Sequence, residues 1–281
     1  MLINKASVAR LFCVIALVLW GQILFAGEKT KLVILHTNDT HSQVEPTEES
    51  ARFPNMGGYA RRMGIIDKIR KEEVNVLLVD AGDYWQGSPY FNFFNGRIEI
   101  DAMNRMKYDA ATLGNHEFDN GVDTLAVVLS EANFPVLSSN YEVSGSDLSN
   151  ILKPYIIIEK NGIKIGLFAL GVEPKGLIMA SNYRGVIYKD PVQTAVNMSS
   201  FLKKEKCDII ICLSHLGTKE NMVNDFDIAR ATKYVDVIVG GHSHELIENR
   251  TEANADGKPV VVAQMGKSGL YLGRIDIWLE K

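Results

Sequence analysis

The sequence contains few cysteines, which limits what can hold the fold together. Of its three cysteines, Cys13 lies in an apolar N-terminal stretch, and Cys207 and Cys212 lie five residues apart near a β-prone run. Two side chains this far apart along one strand cannot form a disulfide. The fold must therefore depend on its hydrophobic core or on bound metal, and we interpret the two thiols as small buried hydrophobic residues.

The sequence also lacks any excess of positive charge. It has 30 Lys and Arg against 34 Asp and Glu, which gives a formal net charge of −4. This balance argues against a general nucleic-acid binder, because such proteins contact phosphates through Lys and Arg. Repeats, low-complexity tracts and linkers rich in Pro, Gly or Ser are also missing from the 281 residues. We therefore expect one domain from about residue 30 to residue 281.

No apolar stretch is long enough to predict a membrane span. The stretch from Leu11 to Phe25 follows Lys5 and Arg10 and ends at the small residues Ala26 and Gly27. Its length of about 15 residues is short, because a spanning helix needs about 20. The pattern favours a cleaved signal peptide over residues 1–26 and disfavours a membrane anchor. We expect the mature protein to be exported to a periplasm or to the outside, without a stable membrane span.

Short β-prone runs alternate with segments of helical periodicity. The predicted strands cover 32–35, 74–79, 110–113, 134–137, 155–158, 163–169, 209–213, 235–239, 260–262 and 270–279, and the predicted helices cover 57–73, 98–106, 122–132, 191–204 and 219–232. Asn161 and Gly162 form a turn pair favoured in hairpins, so the strands around them should be antiparallel. The alternation implies one mainly parallel sheet and one antiparallel or mixed sheet. The sequence thus predicts an α/β sandwich of two sheets covered by helices.

Five polar segments each follow a predicted strand. They are Asn38–His41, Asp80–Asp83, Thr112–Asp119, Ser214–His215 and Gly240–His244. Five of the six histidines fall within these segments, and only His36 lies outside them. Ligands of α/β proteins gather beyond the carboxyl ends of strands, so we expect the five segments to form one site.

The side chains of these segments are of types that bind transition-metal ions. Asp39 and His41 are two residues apart, which projects both side chains from one side of an extended end, and His242 and His244 do the same. Each pair can therefore bind one ion, and the two oxygens of Asp83 can bridge two ions. Mixed nitrogen and oxygen ligands favour Mn, Fe, Co or Zn over Ca or Mg.

Such a pair of ions predicts phosphoryl chemistry. Two divalent ions about 4 Å apart clamp a phosphoryl group and lower the pKa of a bound water, which makes a hydroxide nucleophile available near neutral pH. No Ser/His/Asp nucleophile motif or phosphate-binding glycine loop competes for this role in the sequence. His116 is adjacent to Asn115 and suited to assist the leaving group, and Asp119 could hold its ring and raise its pKa.

These motifs resemble those of the calcineurin-like metallophosphoesterase superfamily. Within it, the segments 35–41, 80–83 and 114–121 are similar to the bacterial family of 5′-nucleotidases, UDP-sugar hydrolases and 2′,3′-cyclic phosphodiesterases. The resemblance implies a four-layer αββα sandwich of two mixed sheets flanked by helices. It also implies an enzyme that uses two divalent ions to hydrolyse a phosphomonoester, with a 5′-nucleotide as the expected substrate and no nucleic-acid partner.

The resemblance further implies two overlapping sets of metal ligands and a catalytic pair. The first ion would be bound by Asp39, His41, Asp83 and His244. The second ion would be bound by Asp83, Asn115, His215 and His242. The catalytic pair would be His116 and Asp119. Some family members have Gln where His244 stands, a difference expected to change the affinity for the first ion.

The substrate stays open at this point. Family members usually continue into a C-terminal domain that holds the nucleoside, and we expect that domain to be absent here. One alternative is a phosphodiesterase acting on cyclic nucleotides or UDP-sugars. Another is a catalytic half that needs a separately encoded nucleoside-binding partner. A third is a metal-binding protein without catalysis, which the retained His116 and Asp119 argue against.

Several neighbouring residues are assigned structural roles. We expect the aromatic cluster formed by Tyr90, Phe91, Phe93 and Phe94 to be core and not a base-stacking platform, because aromatic residues near strands are mostly buried. Trp85 should fill the space beneath its loop. Glu117 is predicted to cap the following turn, with contact to a metal ion as the alternative. Asp80 is predicted to brace a loop, and Asn38 or His36 to orient the ligands.

Overall fold

The computed structural model describes residues 29–280. Residues Leu32–Asp276 belong to one compact unit, and the strand ends Lys29–Lys31 and Ile277–Glu280 belong to another. In the latter, Lys29 Nζ lies 2.7 Å from Glu280 Oε1. The predicted signal peptide over residues 1–26 lies outside the described residues. Over the range that the structure does describe, no helix combines the length and the apolar character needed to cross a membrane.

Strands and helices alternate through the first part of the chain and strands dominate the last part. The strands are β1 (Lys29–Thr37), β2 (Val76–Asp80), β3 (Ala110–Thr112), β4 (Val136–Leu137), β5 (Tyr141–Val143), β6 (Tyr155–Lys160), β7 (Ile163–Leu170), β8 (Val186–Tyr188), β9 (Ile209–Ser214), β10 (Val237–Val239), β11 (Leu246–Ala253), β12 (Pro259–Met265) and β13 (Gly273–Glu280). The helices are α1 (Tyr59–Glu72), α2 (Pro89–Phe94), α3 (Arg97–Met106), α4 (Gly121–Leu129), α5 (Leu148–Ile151), α6 (Pro191–Lys204) and α7 (Asp225–Ala231). A 3-10 turn covers His116–Phe118.

Two larger sheets form the centre of the fold. The first has the strand order β13-β1-β2-β3-β4 and is parallel from β1 to β4. The second has the order β11-β12-β10-β9-β7-β6, with parallel pairing from β7 through β9 and β10 to β12 and antiparallel pairing at both edges. A small antiparallel sheet pairs β5 with β8. The predicted α/β fold with mixed sheets is confirmed.

The central strands are buried on both faces, which explains their nearly continuous apolar sequences. In β2, Leu78 packs with Ile66 of α1 and Ile100 of α3. The preceding residue, Leu77, points to the other face of the sheet and is equally buried. In the second sheet, Ile210 of β9 packs in a separate cluster that also contains residues of α6 and α7. With β3 and β9 in contact, the layers follow the order helix, sheet, sheet, helix.

Turn chemistry predicted two elements well. Asn161 and Gly162 both have positive φ, 47° and 76°, and join β6 to β7 as an antiparallel hairpin. Asp190 caps α6 by accepting a hydrogen bond from the backbone N–H of Gln193 at 2.7 Å, with Pro191 in the first turn. Both Cys207 and Cys212 are buried, and neither is in a disulfide within the described part of the chain.

Three predictions of local structure were wrong or incomplete. The helix predicted over 219–232 is only α7, because Asn224 forms a capping box with Asp227 and starts the helix late. Strand β11 was missed, since its residues are mostly exposed and show no apolar face. The aromatic cluster is core only in part: Phe91 is 5% exposed, but Phe93 is 79% and Phe94 is 48% exposed.

Candidate metal centre

The loops that follow the strands meet at the carboxyl ends of the two sheets. The backbone N–H of Asp39 donates to the carbonyl of Gly82 at 2.9 Å, and that of His41 donates to the carbonyl of Asp83 at 3.0 Å. The first two polar segments are therefore bonded to each other along their backbones. From the second sheet, the backbone N–H of His242 donates to Asp39 Oδ2 at 3.0 Å, which joins the last segment to them.

The seven side chains predicted as metal ligands all lie together. They form two groups, and within each group the ligand atoms lie within 4.8 Å of one another. The two groups share Asp83. The first group is Asp39, His41, Asp83 and His244, and the second is Asp83, His215 and His242. Asn115 extends the second group, because its Oδ1 lies 3.0 Å from His242 Nδ1.

Most of these residues have an unusual backbone conformation. Positive φ angles between 47° and 70° occur at Asp39, His41, Asp83, His242 and His244. Residues other than glycine rarely adopt this region, which costs roughly 1–3 kcal/mol each. Such strain persists only where the surrounding structure imposes it, and its concentration at five of the seven positions supports a functional site here.

In the first group, histidine nitrogens converge with a carboxylate. His41 Nε2 lies 3.1 Å from His244 Nε2, which in turn lies 3.3 Å from Asp39 Oδ1. Burial lowers the pKa of His41 to about 4, more than the nearby carboxylates can offset. A neutral imidazole keeps a nitrogen lone pair, which is the form that binds a metal ion.

In the second group, a hydrogen bond to the backbone fixes the orientation of the His215 ring. Its Nδ1 donates to the carbonyl of Ala81 at 2.7 Å, so Nε2 faces the site. This fully buried Nε2 lies 3.1 Å from Asp83 Oδ2, yet among the described residues it makes no hydrogen bond of acceptable geometry. Burial lowers the pKa of His215, but the Asp83 charge outweighs it and raises the pKa to about 10. A proton and a cation thus compete for this nitrogen, and the donor set fits a divalent ion.

Asp83 lies between the two groups. Its Oδ1 accepts the backbone N–H of His116 at 2.9 Å, and its Oδ2 lies 3.9 Å from His41 Nε2. Burial would raise the pKa of Asp83, but the positive charges available on His215 and His116 lower it below its ordinary value. The Asp83 carboxyl is therefore ionised, and it is shared by the two ligand groups.

Gly114 permits this close approach. A Cβ atom at Gly114 would lie 2.2 Å from Asp83 Oδ1 and 2.6 Å from His215 Nε2. These distances leave no room for any side chain. The glycine before Asn115 is therefore required by the packing of the second group.

The predicted catalytic pair is also formed. The 3-10 turn places His116 and Asp119 three residues apart on one side, with His116 Nδ1 2.8 Å from Asp119 Oδ2. Burial lowers the pKa of His116, but the bond to Asp119 and the charge of Asp83 exceed that effect and raise the pKa above 6.5. The His116 ring lies 5.3 Å from the His41 ring, edge to face, and its side chain is 31% exposed. The pair is thus held beside the first group, with the His116 side chain partly open to solvent.

Comparison with known proteins identifies the family. The family model described as calcineurin-like phosphoesterase matches residues 32–246. The chain belongs to this family. Calcineurin-like phosphoesterases use two divalent metal ions, and this member has two groups of residues able to bind them.

Similar proteins include nucleotidases and a phosphoesterase. A snake venom 5′-nucleotidase of Crotalus adamanteus is 39% identical over 275 residues, which cover 90% of this chain and 46% of the relative. The crystal structure of a 5′-nucleotidase precursor from Thermus thermophilus aligns with a TM-score of 0.79 and 33% identity, covering 88% of this chain and 51% of that chain. The chain thus spans about half the length of these two relatives.

A third relative is the trifunctional nucleotide phosphoesterase protein YfkN of Bacillus subtilis. It is 33% identical over 283 residues, which cover 89% of this chain and 18% of the relative. A crystal structure of the calcineurin-like phosphoesterase YfkN aligns with a TM-score of 0.75, covering 90% of this chain and 86% of that chain. The alignment spans most of both chains.

This phosphoesterase supports two of the polar segments with a residue whose role the sequence did not reveal. Glu117 is fully buried, and its carboxylate accepts backbone N–H groups of Asp83 at 3.0 Å, Trp85 at 3.1 Å and Gly114 at 2.5 Å. Burial and the charge of Asp83 raise the pKa of Glu117 to about 8, and the N–H donors and the charge of His215 oppose that shift. The predicted turn cap is therefore wrong: Glu117 connects the second and third polar segments.

Other neighbours match or depart from their expected roles. Asn38 orients a ligand, since its Nδ2 donates to Asp39 Oδ2 at 2.6 Å. Asp80 braces its own loop by accepting the backbone N–H of Gly82 at 2.8 Å. Trp85 is fully buried beneath the loop, as predicted. His36 is buried without a hydrogen bond to either ring nitrogen within residues 29–280, so no bond links it to a ligand.

Glu117→Gln is expected to destabilise the protein by about 1–3 kcal/mol, because an amide NH₂ would face backbone N–H donors and leave them unpaired. The free energy of unfolding in urea, measured with metal and with chelator, tests this. Glu173→Gln, on an exposed side chain, is the matched control and should leave the stability unchanged. Equal stability of Glu117→Gln and the unmodified protein would contradict the assigned contacts.

Proposed function

We propose that this phosphoesterase hydrolyses phosphomonoesters, with 5′-nucleotides as substrates, by means of two divalent ions. The single observation that carries the proposal is the pair of ligand groups sharing Asp83, beside which His116 Nδ1 is hydrogen-bonded to Asp119 Oδ2. Two of the relatives are named 5′-nucleotidases, which supports the substrate class.

Each group has a separate task in this proposal. Asp39, His41, Asp83 and His244 would hold one ion, and Asp83, Asn115, His215 and His242 would hold the other. When bound, the ions would neutralise phosphoryl charge and lower the pKa of an attacking water. His116, kept protonated by Asp119, would donate a proton to the leaving oxygen, and Asp119 would fix the orientation of the ring.

A phosphodiester substrate is the second candidate. The relative YfkN is named a trifunctional nucleotide phosphoesterase, which favours activity on more than one type of ester. A site that binds a phosphoryl group through two ions can act on a monoester or a diester, and the fold does not choose between them. A separately encoded nucleoside-binding partner is a further proposal, with improved nucleotide turnover on its addition as the test. Export remains a prediction from residues 1–26.

Metal removal is the first test of the proposed function. The purified protein is assayed with Mn, Zn or Co, or after chelation, against p-nitrophenyl phosphate, bis(p-nitrophenyl) phosphate and a panel of nucleotides. We expect hydrolysis of the monoesters only when metal is present, with full recovery when metal is added back after chelation. Hydrolysis of the diester alone would favour the second candidate. A metal-loaded protein that hydrolyses none of these esters would overturn the proposed function.

A further inference from the structure

The loop between β10 and β11 contributes to both ligand groups. It carries His242, which belongs to the second group, and His244, which belongs to the first. Both residues have positive φ angles, 70° and 59°. Residues other than glycine keep such angles only where the surrounding structure imposes them. The shape of this loop therefore depends on contacts from outside it.

Gln264 supplies such contacts from the neighbouring strand. It is fully buried near the end of β12, and it is the one polar side chain in that strand. Its Nε2 donates to the carbonyl of Gly241 at 2.9 Å, and its Oε1 accepts the backbone N–H of Glu245 at 2.8 Å. The same oxygen accepts a hydrogen bond from Ser243 Oγ at 3.0 Å. One side chain is thus bonded to the loop before, between and after its two histidines.

A carboxamide matches these partners at both of its ends. A carbonyl requires a donor and a backbone N–H requires an acceptor, so Gly241 and Glu245 also determine which end of Gln264 carries the oxygen. An ionised glutamate has no N–H to donate, and an apolar side chain would leave these buried polar groups unpaired. The polar residue that interrupts an otherwise apolar strand is therefore explained by the loop it holds.

The same end of β12 is bonded to the first polar segment. The backbone N–H of Met265 donates to Asn38 Oδ1 at 2.7 Å, and Asn38 Nδ2 donates to the carbonyl of Gly266 at 3.0 Å. The backbone N–H of Ser268 donates to the carbonyl of Asp39 at 2.7 Å. A strand that contributes no predicted ligand is thus bonded to segments that carry ligands of both groups.

We propose that Gln264 is a positioning residue that holds His242 and His244 for two metal ions at once. The inference rests on the proposed two-ion site and names the residue that couples its two halves. Without the amide, the loop would lose three hydrogen bonds and relax from its positive φ angles, so both histidines would move together. Residues that orient metal ligands without touching the ion typically change metal affinity by about 10–100-fold.

The test is a metal titration of the variant Gln264→Met, which keeps the volume of the side chain and removes both polar ends. Mn²⁺ is added in a calorimeter to the full chain after chelation, and the number of ions and their dissociation constants are measured. The unmodified protein should bind two ions. In the variant both dissociation constants should rise by about 10–100-fold. Saturating Mn²⁺ should restore most of the turnover of p-nitrophenyl phosphate, because no group that touches the substrate has been removed.

Asn254→Leu is the matched control. Asn254 is 8% exposed, and its side chain also forms three hydrogen bonds. Its Oδ1 accepts the backbone N–H groups of Asp256 and Lys258, each at 2.9 Å, and its Nδ2 donates to the carbonyl of Lys233 at 3.0 Å. It precedes β12, at the opposite end of that strand from Gln264. The replacement should lower the free energy of unfolding in urea and leave both dissociation constants unchanged.

A milder variant applies if circular dichroism shows that Gln264→Met does not fold. Ser243→Ala removes one hydrogen bond to Gln264 and leaves the two bonds between Gln264 and the backbone. Both dissociation constants should then rise by a smaller factor of about 2–10, as expected for one lost hydrogen bond.

The possible failures are distinguishable. Unchanged dissociation constants in Gln264→Met, or in Ser243→Ala where the first variant does not fold, would overturn the inference and leave the proposed function intact. A loss confined to one ion would also overturn it, because Gln264 would then not couple the two groups. An equal loss of affinity in Asn254→Leu would show a general effect of stability and overturn it too. An unmodified protein that binds two ions but hydrolyses no phosphate ester would instead overturn the proposed function.

Discussion

Asp83→Asn is expected to lower the turnover of p-nitrophenyl phosphate by more than about 1000-fold, because the loss of metal stabilisation of the transition state is worth several kcal/mol. The amide is the same size as the carboxylate but can present only one acceptor oxygen. In the unmodified protein, Asp83 Oδ1 accepts a hydrogen bond from the backbone N–H of His116 at 2.9 Å. If the amide oxygen of the variant accepts the same bond, its NH₂ group faces His215 and His41. A donor at that position repels a cation. We expect the metal content, measured by mass spectrometry, to fall below two ions per chain.

The matched control is another buried aspartate that contacts no ligand side chain directly. Asp225 is fully buried, and its Oδ1 accepts a hydrogen bond from Ser214 at 2.5 Å. Its Oδ2 accepts no hydrogen bond within residues 29–280, so an amide NH₂ at that position leaves no donor unpaired. The Asp225→Asn variant should therefore bind both ions and hydrolyse p-nitrophenyl phosphate at the rate of the unmodified protein. If Asp83→Asn binds two ions and turns over normally, Asp83 does not bridge the two groups.

His116→Asn should lower turnover of nucleotides by about 10²–10⁴-fold, the range expected for lost proton transfer to the leaving group. The side chain of His116 belongs to neither ligand group, so the variant should keep its metal. The loss should be smaller for p-nitrophenyl phosphate, because its leaving phenolate departs without a proton. Loss of metal in this variant would instead make His116 a ligand.

The pH profile of Asp119→Asn provides the companion measurement. The bond to Asp119 raises the pKa of His116, and the protonated ring is the active form of a proton donor. Activity should therefore fall as the pH rises through this raised pKa. Removing the Asp119 charge lowers the pKa, so the alkaline limit of activity should move to lower pH. An unmoved limit would mean that Asp119 does not control the proton on His116.

Much of the site could be predicted from where polar residues interrupt apolar runs. Strands buried on both faces have a nearly continuous apolar sequence, so their carboxyl ends are easily located, and the residues after those ends must meet at one edge. This is why the predicted ligands of both sheets, such as Asp39 and His215, lie together. The alternation of strands and helices likewise predicted a mainly parallel sheet, and the turn pair Asn161 and Gly162 predicted the antiparallel hairpin of β6 and β7.

The rest depends on contacts that no local pattern encodes. Glu117 binds N–H groups from two different loops, which are brought to it only by the folded sheet. Strand β11 has no apolar face, and its pairing with β12 alone makes it a strand. Phe93 and Phe94 have the composition of core residues, but the packing of α2 buries Phe91 and leaves the other two exposed.

The positive φ angles at five predicted ligand positions lower the stability of the fold, while the side chains at these positions serve the proposed activity. Selection for stability alone would favour glycine there, because glycine adopts positive φ without a steric penalty. Each such replacement would remove a side chain that the proposed chemistry needs. A screen for heat-resistant variants would therefore enrich proteins that have lost the site. Long-term retention of Asp39, His41, Asp83, His242 and His244 would require that hydrolysis itself be under selection.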